Sequence, residues 1–233
     1  GLRIWEDTRP ETKVPTESQH FVRSGCVKWF TDGSPDELPE LRSRIAAADK
    51  AGMQVLVHAI GEAANSNALD ALEYALAQNG PSDRRSRIEH AHWLRRQDFQ
   101  RLRKANIIAS MQPYLFFNNG LGAGDDHRAI LKSGVKLALG SDASMVDLNP
   151  LLGIHAAVNA GKRSLTVEGA VLAYTLGSAF AEFQEKQKGT IEVGKFADLI
   201  ILSDDIFTVD ERKIGSVKVL LTLMDGKVVY EAK

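Results

Sequence analysis

Met53-Gln54-Val55-Leu56-Val57-His58 is a short apolar run that closes on a histidine and leads through Ala59-Ile60-Gly61 into a helical pattern. Two more runs repeat this design: Arg87-Ile88-Glu89-His90, and Val135-Lys136-Leu137-Ala138-Leu139-Gly140-Ser141-Asp142. Apolar runs of this length, bounded by turn residues, read as buried strands. With helices between them they read as βαβ units around a parallel sheet. In a parallel α/β barrel the reactive residues sit at the C-terminal ends of strands, where His58, His90 and Asp142 fall.

Working outward, the expected strands are Cys26–Phe30, Gln54–His58, Arg87–His90, Ile107–Met111 and Val135–Leu139. The expected helices are Leu38–Ala51, Glu62–Gln78, Gln97–Ala105, Asp126–Lys132, Leu151–Ala160 and Val167–Phe183. In the first of these, Leu38, Leu41, Ile45 and Ala48 share one face. Residues 1–24 show no clear period, with Pro10 and Pro15 breaking them further. From about residue 188 the pattern turns antiparallel, with Asp225-Gly226 as a hairpin turn signal. The expected division is therefore 1–187, a partial (β/α) barrel or an open doubly wound sheet, and 188–233, a small β appendage. Five strands fall short of the eight of a (β/α)8 barrel. They would leave unpaired edges, so further strands are expected from upstream in the same polypeptide or from a second copy. The chain opens on Gly1, not on an initiator methionine, which fits an upstream segment.

The bulk numbers narrow the partners. Of 233 residues, 44% are hydrophobic and 25% charged, and the 29 Lys and Arg nearly cancel the 30 Asp and Glu. A net charge of −1 argues against nucleic acid or an anionic membrane, leaving a small-molecule substrate as the expected partner. Cys26 is the single cysteine and makes no internal disulfide, which permits a reducing, cytoplasmic setting without excluding a periplasmic or secreted one. No apolar run reaches the ~20 residues of a membrane span. P-loop, GxGxxG and GxSxG motifs are absent.

Imidazole nitrogens and carboxylate oxygens are standard ligands for divalent metals, so His58, His90 and Asp142 form the leading set. His90 and His92 both lie in Ile88-Glu89-His90-Ala91-His92, where alternation points them to one face. His90 is preferred because it ends the apolar run. Asp142 has two roles open to it, as metal ligand and as acceptor of a proton from activated water; an Asx turn at Gly140-Ser141-Asp142 is the plainer alternative. Lys28, inside Cys26-Val27-Lys28-Trp29-Phe30, is expected to point into a packed face. Burial lowers the pKa of such an amine, making it able to take up carbon dioxide as a carbamate; the alternatives are an ion pair with Asp32 or a side chain snorkelling at an edge. Asn65, Gln112 and Tyr114 follow strand ends without an assigned role, and His20, His127 and His155 are expected to be surface or structural.

Taken in order, Val27-Lys28-Trp29-Phe30-Thr31-Asp32-Gly33-Ser34, Val57-His58-Ala59-Ile60-Gly61-Glu62, Arg87-Ile88-Glu89-His90-Ala91, Met111-Gln112-Pro113 and Gly140-Ser141-Asp142-Ala143 resemble the amidohydrolase superfamily, in its N-substituted-formamide-deformylase-like branch. Gly194-Lys195-Phe196-Ala197-Asp198-Leu199 is similar to that family's closing segment. The resemblance implies a (β/α)8 TIM-type barrel of which strands 4–8 are present, plus a small β-sandwich built from both termini. It implies Lys28 as a carboxylated strand-4 ligand, His58 and His90 as ligands from strands 5 and 6, and Asp142 as the strand-8 aspartate. It also implies one or two divalent ions, zinc first and iron or manganese next, and hydrolysis of C–N bonds by a metal-activated hydroxide. The family's His-x-His pair from strand 1 is absent, so the competing expectation is a non-catalytic or regulatory remnant. Connections after Ser34, around Gly120–Asp126 and around Gly161–Ser164 are short for the family.

Overall fold

A computed structural model describes residues 4–7, 22–119 and 126–233. The chain divides into two compact units, one formed by Leu2–Met111 with Ile130–Lys136, the other by Gln112–Ala129 with Leu137–Lys233.

The first unit carries a parallel sheet in the order β1-β2-β3-β4-β5. Its strands are β1 (Ile4–Asp7), β2 (Val22–Thr31), β3 (Gln54–Ile60), β4 (Arg87–His92) and β5 (Ile108–Met111). The helices between them are α1 (Leu38–Lys50), α2 (Glu62–Asn79) and α3 (Phe99–Lys104). Val55, Val57, Ile88, Ile108 and Ala109 are buried with Leu41, Ile45, Leu69, Leu72 and Leu102. The sequence period thus located both the strand layer and the helix faces that cover it. Ala109 N–H donates to the Lys136 carbonyl at 2.9 Å, extending the ladder toward the following strand.

One expectation needs correction here. Residues 4–7 form a strand, paired in parallel with β2 through Ile4–Val22 and Trp5–Arg23, where no period was legible. Ile4-Trp5-Glu6-Asp7 has only two apolar residues before an acidic pair, too little to read as a buried run. With the strand at Leu137–Leu139, the strands of the larger sheet among the described residues number six, not five.

The second unit holds α4 (Pro113–Asn118), β6 (Leu137–Leu139), α6 (Pro150–Asn159), α7 (Val167–Leu172) and α8 (Ser178–Ala181), while α5 (His127–Lys132) carries the chain between units. Helix α4 was not expected: six residues starting at a proline give little periodicity. Asn149 caps α6, accepting from Leu151 N–H at 3.0 Å ahead of Pro150. The expected helix Val167–Phe183 is interrupted by a π-turn at Ala173–Gly177.

The tail is an antiparallel sheet, β7 (Leu199–Leu202), β8 (Val219–Met224) and β9 (Lys227–Glu231), in that order. Asp225 and Gly226, at φ 55° and 73°, make the expected two-residue turn. Ala197 and Asp198 brace it, through Gly226 N–H to Ala197 O at 3.1 Å and Asp225 N–H to Asp198 Oδ1 at 2.9 Å. The Phe196-Ala197-Asp198 motif is thereby accounted for as a clamp on the hairpin.

Asp210 caps the 3-10 helix Glu211–Ser216 and also binds the Arg212 side chain. Those hydrogen bonds, the guanidinium's first, hold its carboxyl down at about 2, below the ordinary 3.8. A depressed folded pKa adds stability above the unfolded value and loses it as pH falls. The expected loss lies between about pH 4 and 2; NMR titration of Asp210 with a midpoint near 3.8 would refute it. No helix among the described residues is long and apolar enough to cross a membrane.

Candidate metal and acid–base residues

His58 stands near the end of β3, opposite Phe30 of β2 and Glu89 of β4 in the ladder. Its ring lies 4.4 Å from that of His90, centroid to centroid, at an interplanar angle of 71°. On its other side Phe30 lies 4.9 Å away, and the Lys28 Nζ is 5.2 Å from the Phe30 centroid. Lys28, Phe30, His58 and His90 are therefore one chain of contacts within the first unit. Lys28 is half-buried, less enclosed than its apolar neighbours suggested, because β2 lies near its open end at Phe30, which is 65% exposed. Phe30 was not singled out from sequence: an aromatic in a strand normally signals core.

The pairing of β4 with β3 shifts between Ala59 and Ile60, so that Ala59 faces His90 and Ile60 faces His92. His90 and Ala91 have φ of 69° and 48° there. This bulge breaks the alternation that would have given His90 and His92 one face. Their rings have different neighbours: His90 meets His58, and His92 meets Trp93 at 4.3 Å. The His92 carbonyl is used structurally, accepting from Gly61 N–H at 3.0 Å and Asn65 Nδ2 at 2.8 Å. Asn65, fully buried on α2, also donates to the Gly61 carbonyl at 2.9 Å and so ties the ends of β3 and β4 together. A left-handed backbone at a non-glycine residue costs of order 1 kcal/mol and tends to persist at functional positions.

Glu89 is spoken for by Arg87, whose Nε donates to it at 2.7 Å. Asp32 accepts from Ser34 N–H at 2.8 Å in an exposed turn. Asp142 belongs to the second unit; it is half-buried, with φ 59°, and its carbonyl accepts from Met145 N–H at 2.9 Å. The Asx-turn alternative is not what the backbone shows, since it is the Asp142 carbonyl that closes the turn.

Among the described residues no three His, Cys, Asp or Glu side chains stand together in a group able to hold a metal. Two touching imidazoles, His90 being 5% exposed, still match the donor chemistry of zinc, iron or manganese. They fit part of a first shell. Gln112 is buried ahead of α4 and Tyr114 half-buried within it. His127 is buried, and His155 ties α6 to Glu211 at 3.2 Å, a structural role; His20 lies outside the described residues.

Comparison with known proteins agrees with these elements. The family model for amidohydrolases matches residues 3–230. Protein LONG AFTER FAR-RED 3 of Arabidopsis thaliana is 34% identical over 206 residues, which cover 79% of this chain and 35% of that protein. N-substituted formamide deformylase of Arthrobacter pascens is 28% identical over 238 residues, 93% of this chain and 44% of that protein. A crystal structure of a metal-dependent hydrolase from Pyrococcus furiosus superposes with a TM-score of 0.66 at 28% identity, covering 81% of this chain and 46% of that one. The chain thus spans less than half the length of each of these three relatives. By the match of the family model along nearly its whole length, the chain belongs to the amidohydrolase family.

Proposed function

We propose that the native polypeptide carrying this chain is a metal-dependent hydrolase of C–N bonds in amides, formamides or cyclic amides. The observation that carries this is the His58–His90 ring contact of 4.4 Å at the ends of two parallel strands. In this reading residues 1–187 belong to a (β/α)8 barrel and 188–233 to a β-sandwich. The remaining strands come from upstream in the polypeptide or from a second copy.

His58 and His90 would hold the ion as neutral imidazoles, and the family resemblance would make Lys28, carboxylated, and Asp142 its oxygen ligands. When bound, a divalent ion (zinc first, iron or manganese next, one or two per site) supplies Lewis acidity and lowers the pKa of water. Asp142 would take the proton released on attack and return it to the departing nitrogen. Phe30, largely exposed beside His58, gives the substrate an apolar surface and limits water there. The near-balance of charge in the sequence favours a small-molecule substrate.

Elemental analysis of the native polypeptide, purified without chelator, tests this. We expect stoichiometric zinc, iron or manganese and turnover of N-formyl amines. A His58→Ala/His90→Ala double variant should bind metal at least ~10-fold more weakly, since even loss of a hydrogen-bonded partner of a ligand costs about that much. A folded, metal-free native protein would overturn the proposal. That outcome would support the second reading, a non-catalytic or regulatory member of the family.

A further inference from the structure

The π-turn at Ala173–Gly177, with Ser178 just after it, meets β6 and the following Gly140 at three places. Tyr174 donates its phenolic hydrogen to the Gly140 carbonyl at 3.0 Å. The Ser178 hydroxyl donates to the Leu139 carbonyl at 2.8 Å, and lies 3.0 Å from the Ala173 carbonyl of its own helix. Gly177 packs so closely that a Cβ there would lie 2.3 Å from the Leu137 carbonyl oxygen. A fourth position prepares the phenol's path: a Cβ on Gly153 of α6 would fall 1.7 Å from the Tyr174 hydroxyl oxygen. These contacts all lie within the second unit.

We propose that Tyr174, carried by this π-turn, is a positioning residue for Asp142: it fixes the Gly140 carbonyl, and through it the left-handed turn that presents the Asp142 carboxylate. The proposal rests on the role given to Asp142 above. A hydrogen bond to the backbone two residues before Asp142 restricts the peptide that sets its direction. A π-turn widens the helix by one residue, and such insertions concentrate at functional sites. Here the widening is where Tyr174 and Gly177 meet β6 and its following residue. Packing alone would not require the hydroxyl, because a phenylalanine fills the same space. Burial pushes the phenol well above its ordinary range, so it stays a neutral donor at physiological pH. The left-handed φ of 59° at Asp142 costs free energy locally and persists where neighbours over-determine it.

The test uses Tyr174→Phe in the native polypeptide, with two readouts. For kcat we expect a fall of about 3- to 10-fold with KM within twofold, the loss expected of one neutral hydrogen bond that orients without binding substrate. Amide exchange of Met145, whose N–H closes the Asp142 turn, should speed up by about the same factor, while exchange within α6 is unchanged. Unchanged kcat and unchanged Met145 protection would overturn the proposal, whatever happens to the melting temperature. If Tyr174→Phe fails to fold, Ser178→Ala removes the neighbouring anchor and is judged on the same two readouts. Gly153→Ala should reproduce the Tyr174→Phe result by displacing the phenol. An Asp142→Asn control separates the two ideas. If that variant keeps wild-type turnover while Tyr174→Phe still frees the Met145 amide, the catalytic role fails and the positioning stands.

Discussion

Replacing Asp142 with asparagine is expected to lower kcat/KM of the native polypeptide on an N-formyl or amide substrate by about 10³-fold, the middle of the range for losing a general acid–base. Asparagine has nearly the same shape and also tolerates left-handed backbone, so the φ of 59° and the turn to Met145 should survive. Melting within a few degrees of wild type would attribute the loss to chemistry and not to folding. What changes is the charge and the ability to take and return a proton. Retention of more than about a third of the activity would remove Asp142 from the mechanism.

The second large effect concerns stability. Gly33→Ala is expected to destabilise the first unit by about 3–4 kcal/mol, combining a left-handed penalty with overpacking. Gly33 has φ 92°, and a Cβ there would lie 2.5 Å from Ala64 N and 2.6 Å from Ala63 Cβ in the first turn of α2. Those neighbours are short and rigid, so the helix end itself has to shift. Gly33 also donates its N–H to Glu37 Oε1 at 3.0 Å, in a network where Thr31 and Asn67 meet the same carboxylate. Moving the start of α2 displaces Asn65, which joins the loops after His58 and His90 through Gly61 and His92. The expected readout is a melting midpoint lower by about 6–16 °C, at 2–4 °C per kcal/mol for a chain this size. A midpoint within 2 °C of wild type would contradict the close approach.

How much of this was legible in the residues varied with how distinctive each element's pattern is. Strands β3 and β4 and helices α1 and α2 were readable because their apolar patterns are clear, and burial of Val55, Val57, Ile45 and Leu69 follows them. Strand β1 and helix α4 were not: Ile4-Trp5-Glu6-Asp7 has two apolar residues before an acidic pair, and Pro113-Tyr114-Leu115-Phe116-Phe117-Asn118 alternates at neither period. The π-turn left no sequence signal either, because its Ala173-Tyr174-Thr175-Leu176-Gly177 continues a plausible helix.

The same division holds for the candidate site. The sequence by itself placed His58, His90 and Asp142 near strand ends and Lys28 one strand away, because covalent order and apolar runs place residues along a strand; the strands themselves run on to Ile60 and His92, and β6 stops at Leu139, three residues before Asp142. The sequence already preferred His90 over His92; the tertiary structure supplied the physical reason that His90 meets His58. The choice turns on positive φ at His90 and Ala91, and a bulge arises from how β4 pairs with β3, not from β4 alone. Only it revealed Phe30 beside His58, and Tyr174 reaching Gly140 across a gap that Gly153 leaves open. Such contacts join residues far apart in the chain, and no local pattern encodes them; they exist because the packed backbone brings those atoms within reach.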